Sequence, residues 1–154
     1  YGRGGSPFQN LIKEAFDSTM ISALDCIEKI DSGDIYFKEK LELYGTAEEI
    51  FIRANSIIKN MIIKICTNNI VPKEQKGDEI IFKRRDEKES NLCLCKEGEI
   101  SEWYDQIRML DADNYPHAFL EISGMKIEFR RASLRTDGIY ADVKISPLEK
   151  SNID

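Results

Sequence analysis

The stretch "TAEEIFIRANSIIKNMIIKIC" (46–66) constrains this chain more than any other. Thr46 and Glu49 stand three apart as a capping box, in which each side chain satisfies the other residue's backbone N–H at a helix start. Ala47, Ile50, Phe51, Ala54, Ile57, Ile58, Met61, Ile62 and Ile65 then recur at helical spacing along one stripe. So wide an apolar face needs a cover, and a sheet is the element broad enough to supply it. The expectation is a helix over 46–66 lying on a sheet, and hence an α/β chain.

Strands for that sheet are sought on either side. Residues 19–30, "TMISALDCIEKI", read as a largely buried strand, and "DSGD" (31–34) reads as a tight turn. Ile35, Phe37, Leu41 and Leu43 alternate with polar residues as in a half-buried strand, with Glu39 interrupting the apolar side. The opening, "YGRGGSPFQNLI", places Ser6 as a helix cap, Pro7 at the first helical position and Gln9 three after the cap. Phe8, Leu11, Ile12 and Ala15 continue at helical spacing. A glycine-rich turn of this kind is normally held by elements on both sides, so the expectation is a chain that has lost its beginning.

Beyond the long helix, 68–79 reads as a polar connection and "IIFKRR" as a short strand. Residues 86–99 are charged and aperiodic, which suggests a linker between a first unit, 1–85, and a second, 100–147. In the second unit Ser101 is expected to cap a short helix whose face carries Ile100, Trp103, Ile107 and Leu110. Three strands follow, "AFLEI", "MKIEFRRASL" and "IYADVKI", separated by Ser-Gly and Asp-Gly, which are hairpin signals. The second unit therefore reads as a helix plus an antiparallel meander.

Composition narrows the function classes. The 154 residues carry a net charge of −6, which argues against broad nucleic-acid binding, since that needs Lys and Arg to displace counterions. Local basic stretches exist at 82–88 and 128–135, where the plain reading is a solvated strand end. The four cysteines, Cys26, Cys66, Cys93 and Cys95, form no Cys-x-x-Cys pair, and His117 is the single histidine, so no metal site is expected. No run is apolar for long enough to span a bilayer and no leader pattern opens the chain, so the expectation is a cytoplasmic protein without a membrane partner. Nothing in the sequence sets an oligomeric state.

Asp31 is the best-placed acid. It follows a strand and precedes a turn glycine, Gly33, so its carboxylate either lies at the strand's C-terminal edge, where α/β sheets bind ligands, or merely closes an Asx-turn. "GRGGSP" can cradle an anion at a helix start, and Arg3 can bind a carboxylate or phosphate in a bidentate way or be an ordinary surface residue. Asp111 and Asp113 lack the spacing of a calcium loop, and a helix end rolling into a turn accounts for them.

Taken in order, "GRGGSPFQNLI", "IDSGDIY", "YGTAEEIFIRA", "FKRR…ESN" and "IRMLDADNYPHAFLE" with "FRRASL" resemble 10-formyltetrahydrofolate-dependent formyltransferases, nearest to compact methionyl-tRNA formyltransferase-like proteins. The resemblance runs from Tyr1 to about Ile145 and covers the C-terminal portion of that family. It implies an α/β fold, the C-terminal part of a Rossmann-like catalytic domain followed by a small helix-plus-meander subdomain. It implies formyl transfer from 10-formyltetrahydrofolate to a primary amine, a one-carbon transfer without a metal. The acceptor is methionyl-tRNA, serving protein biosynthesis, or an amino-sugar nucleotide.

Carried over residue by residue, the resemblance implies that Asp31 is catalytic and that Arg3, Gly4, Ser6, Pro7 and Gly33 bind substrate or cofactor. The family's Asn-x-His segment lies upstream of the Arg-Gly turn with which this chain opens, so those two groups are expected outside it. Lys29 stands where relatives often carry glycine. Arg84, Arg85, Arg130 and Arg131 are candidate phosphate contacts for either acceptor. The alternative from another class is an inactive fragment or binding module.

Overall fold

The structure, a computed structural model, describes residues 2–148. The fold is mixed α/β and divides into two units, the first ending at Arg85 and the second beginning at Asp86. Tyr1 lies outside the described residues.

In the first unit the long helix forms as its cap dictates. Helix α2 spans Ala47–Thr67, Thr46 Oγ1 accepts from the Glu49 N–H at 3.3 Å, and the Thr46 N–H donates to Glu49 Oε2 at 2.8 Å. It packs on an antiparallel pair, β2 (Ser18–Leu24) and β3 (Ile35–Glu42), in register from Ser18 opposite Glu42 to Ala23 opposite Phe37, with a shift before Leu24 opposite Ile35. Glu39, which breaks the apolar alternation of β3, meets Lys64 of α2 at 3.4 Å, and Lys64 also stands 4.4 Å above the Phe37 ring. Arg53 of α2 donates to the carbonyls of Glu42 and Tyr44, satisfying backbone at and just past the end of β3.

Leu11, Ile12, Leu41, Leu43, Ala47, Ile50 and Met61 are the buried apolar residues of this unit. A two-stranded sheet is narrower than the stripe, so Phe51 and Ile58 keep 40% and Ile62 56% of their surface exposed. Phe8 of helix α1 (Pro7–Lys13) meets Phe51 edge-on, ring centroids 5.0 Å apart.

Two expectations for this unit are corrected. The strand predicted over 19–30 stops at Leu24, and Ile27 and Ile30 are 49% and 84% exposed. The partner strand begins only at Ile35, so residues 25–34 have nothing to pair with and close as a loop, Asp25 N–H bonding the Asp34 carbonyl at 2.7 Å. Ser6 does not cap α1 with its side chain. Its φ of 49° and ψ of 50° are left-handed, whereas a side-chain cap requires extended backbone. Its Oγ accepts instead from the Arg85 N–H at 3.4 Å. Pro7 occupies the first helical position as expected. The opening segment, β1 (Arg3–Gly4), pairs in parallel with β4 (Ile81–Phe82).

The second unit is a helix on an antiparallel meander. Helix α3 (Ile100–Arg108) packs on β6 (Met125–Arg135), the middle strand between β5 (Phe119–Ile122) and β7 (Gly138–Pro147). Ser123 and Gly124, both at positive φ, make the two-residue turn between β5 and β6. Helix α3 starts after Glu99, so Ser101 lies inside its first turn and caps nothing. His117 is buried, with Nδ1 3.1 Å from the Leu110 carbonyl.

The stretch expected as a linker, 86–99, is instead part of this unit. It folds into two 3₁₀ turns, Glu87–Ser90 and Leu92–Leu94, capped by the side chains of Asp86 and Asn91. Ser90 and Leu92 are buried, Asn91 bridges Phe119, and Gln106 of α3 donates to the Glu89 carbonyl. The 3₁₀ repeat leaves no 3.6- or 2-residue apolar period in so short a run, which is why it reads as aperiodic. Among the described residues no helix is long and apolar enough to cross a membrane.

Leu92→Ala is expected to lower the stability of the second unit by about 2–5 kcal/mol in urea unfolding, as for other buried leucines. A loss below about 0.5 kcal/mol, the range of surface changes, would restore the linker assignment.

Candidate functional site

A cavity of about 450 Å³ opens in the first unit, walled by β2, α1 and α2. Its apolar surface comes from Leu11, Met20, Ile21, Leu24, Phe51 and Ile58, and its polar groups include Arg3, Asp31 and Gln75. Of the six residues singled out in the sequence, Arg3, Gly4, Pro7 and Asp31 line this one space. Ser6 and Gly33 do not.

Asp31 is solvent-exposed and left-handed, with a φ of 58°. Its Oδ2 accepts the Gly4 N–H at 3.1 Å, so the opening segment and the loop after β2 meet at this carboxylate. Gly4 has a φ of 92°, and a Cβ there would lie 2.5 Å from the Phe82 carbonyl oxygen; only glycine fits beside β4 in this conformation. Gly33 is buried, and a Cβ on it would lie 1.8 Å from the Asp25 carbonyl oxygen. The close approach at Gly33 is therefore to its own chain, across the neck of the loop.

Arg3 is not a free anion receptor. Its guanidinium donates to the Glu79 carboxylate through Nη1 and to Gln75 Oε1 through Nη2. Lys29 Nζ stands 3.6 Å from the same Glu79 carboxylate. The hydrogen bond from Arg3 and then its charge hold the Glu79 carboxyl below its ordinary value.

Gln75 and Glu79 were not singled out in the sequence. They fall in the connection 68–79, where no spacing marks them, and only contacts more than forty residues away in sequence give them meaning.

The four arginines considered as phosphate contacts differ in setting. Arg84 is exposed and Arg85 half-buried in the first unit. In the second unit Arg130 is half-buried and Arg131 pairs with Asp142. Asp111 accepts the Arg131 N–H at 2.7 Å, at a bulge where Arg131 has a φ of 49°, so this acid stabilises a strained turn of β6. Among the described residues no group of three or more His, Cys, Asp or Glu is gathered as for a metal ion.

Residues 87–146 match the family model for the C-terminal domain of methionyl-tRNA formyltransferase. The solved methionyl-tRNA formyltransferase from Clostridium thermocellum is 46% identical and superposes with a TM-score of 0.90 over 95% of this chain and 64% of that one. In sequence and in fold the chain matches the C-terminal portion of formyltransferases. A methionyl-tRNA formyltransferase from Mesoplasma florum is 28% identical over 132 residues, which are 82% of this chain and 42% of that protein. The chain thus spans less than half of that relative. HypX from Aquifex aeolicus, solved in complex with tetrahydrofolic acid, shares the fold at 12% identity and a TM-score of 0.60, over 84% of this chain and 23% of that one.

Because Glu79 titrates below its ordinary value of 4.5 in the folded chain, its contribution to stability is complete above that value and is lost as pH falls through the folded one. Glu79→Gln is expected to melt lower than the parent at neutral pH, the two curves converging on acidification. Thermal melts across the acid range check this; a gap that persists at the lowest pH would remove the charged pair as its source.

Proposed function

We propose that the protein carrying this chain transfers a formyl group from 10-formyltetrahydrofolate to the primary amine of methionyl-tRNA, in the cytoplasm and in the service of protein biosynthesis. The observation that carries the reading is the exposed Asp31 carboxylate on the wall of an apolar cavity, beside Arg3, Gly4 and Pro7. The likeness to the Clostridium thermocellum enzyme supports methionyl-tRNA as acceptor over an amino-sugar nucleotide. The four cysteines are all free thiols, which accords with a reducing compartment.

The cavity suits a folate. Met20, Leu24, Phe51 and Ile58 offer apolar walls for a flat ring, while Asp31 and the Arg3–Gly4 backbone supply polar groups to orient it. When bound, the folate supplies an activated formyl group.

Asp31 commits Oδ2 to the Gly4 N–H, so Oδ1 is the oxygen that can orient a protonated partner or accept a proton from the attacking amine. Arg3, Gly4 and Pro7 shape the wall next to it, and Ser6 and Gly33 act behind that wall by fixing backbone. The family resemblance adds an Asn and a His to Asp31. His117 is not proposed for that role, because it is buried in the second unit against the Leu110 carbonyl. The isolated chain is therefore expected to show no turnover.

In the full-length protein, Asp31→Asn is expected to lower the formyl-transfer rate by about 10²- to 10⁴-fold, the worth of a positioned acid–base group. Its melting temperature should scarcely move, since an amide oxygen can still accept from Gly4. A variant with near-parental rate removes Asp31 from the chemistry. Rates with methionyl-tRNA should fall steeply with added salt, as counterion release requires. Turnover only with an amino-sugar nucleotide would reassign the acceptor, and none with any amine would leave a binding module.

A further inference from the structure

We propose that Gln75 is a positioning residue for the candidate acid, its carboxamide clamping the Asp31–Gly33 turn to Arg3 so that the Asp31 carboxylate faces the cavity. The inference rests on the reading of Asp31 as the working acid.

The connection 68–79 is a strap across the site. Lys73 exchanges both backbone hydrogen bonds with Ile35, at 2.7 and 2.9 Å, and so adds one rung to the edge of β3. Two residues on, Gln75 Nε2 donates to the Gly33 carbonyl at 2.6 Å and to the Asp31 carbonyl at 3.0 Å. Its Oε1 accepts from Arg3 Nη2 at 2.5 Å. Glu79 then holds the other arm of Arg3, and the chain enters β4, whose Phe82 carbonyl accepts the Gly5 N–H at 3.0 Å. The strap thereby touches both supports of the Asp31 side chain. One is the turn that carries Asp31, and the other is the Arg3–Gly4 segment whose N–H holds Oδ2.

The chemistry of the clamp is specific to a primary amide on a two-carbon stem. It needs two N–H donors for two carbonyls and one acceptor for a guanidinium, and among side chains only Asn and Gln offer both. Asn is one methylene shorter. Glu keeps the acceptor for Arg3 but has no donor, and sets a carboxylate against two carbonyl oxygens. Asp31 also needs such support, because left-handed backbone at a residue other than glycine is disfavoured and persists only where its surroundings hold it.

The test uses the full-length protein, with Gln75→Ala, Gln75→Glu and Asp31→Asn compared by steady-state kinetics. Hydrogen–deuterium exchange over residues 2–6 supplies a readout that does not need activity. Both Gln75 variants are expected to lose about 10- to 100-fold in kcat, as for a misplaced catalytic group. KM for donor and acceptor should change less than kcat, since the clamp acts chiefly on the placement of Asp31. Exchange at the Gly4 amide should rise in both Gln75 variants. If the Ala variant folds poorly, the Glu variant, with Arg3 still paired, decides.

Where Asp31→Asn lowers the rate, parental kcat in Gln75→Glu overturns the clamp, and so does a kcat loss that leaves Gly4 exchange unchanged. Near-parental rate in Asp31→Asn would sink the reading of the acid instead. Faster Gly4 exchange in the Gln75 variants would then still report the clamp itself.

Discussion

The hydrogen bond from the Asp25 amide to the Asp34 carbonyl, 2.7 Å long, closes the neck of the loop that carries Asp31. It ends the β2–β3 ladder and turns residues 26–33 out of the sheet. Gly33 lies directly against the Asp25 carbonyl oxygen, so the neck can close only around a residue with no side chain. With the neck shut, Asp31 projects to the rim of the cavity and not into the core. Its left-handed backbone is then held from outside by Gln75, and its side chain by the Gly4 amide. A polar turn surrounded by water would relax; this one is tied at both ends.

The same sheet that positions the loop leaves much of α2 uncovered. Ile50 and Met61 are buried, while Phe51, Ile58 and Ile62 are not. Exposed apolar groups scattered singly are ordinary on any protein, but several on one helix face make a contiguous surface of the kind that normally meets another element or a ligand. Part of this surface, Phe51 and Ile58, is the wall of the cavity. The hydrophobic stripe thus lines both the core and the cavity, and periodicity alone cannot separate those uses.

The elements with strong local signals were legible in the sequence. The capping box of Thr46 and Glu49, the half-buried strand after the turn, and the three strands of the meander all rest on interactions within a few residues or on a regular apolar period. The errors lie where a short motif has two physical outcomes. Ser6 before Pro7 looks like a cap, yet it sits in left-handed backbone and its hydroxyl takes the Arg85 amide, seventy-nine residues on. Ile27 and Ile30 look like strand core, but without a partner opposite they are exposed loop. Charge concealed the packing role of 86–99, where Leu92 is fully buried among residues that look solvated.

What the sequence determined by itself was local: which runs are helical, which alternate, and which glycine-flanked acid, Asp31, could stand at a strand's edge. Ordered motifs also pointed to a formyltransferase. Only the tertiary structure decided that Arg3, Gly4, Pro7 and Asp31 share one cavity while Ser6 and Gly33 lie outside its lining. It alone also revealed Gln75 and Glu79 as the groups that occupy Arg3. The reason is physical: helix caps and apolar periods are set by near neighbours, whereas these contacts join residues more than seventy positions apart, and their partners are chosen by how strands and loops close in space.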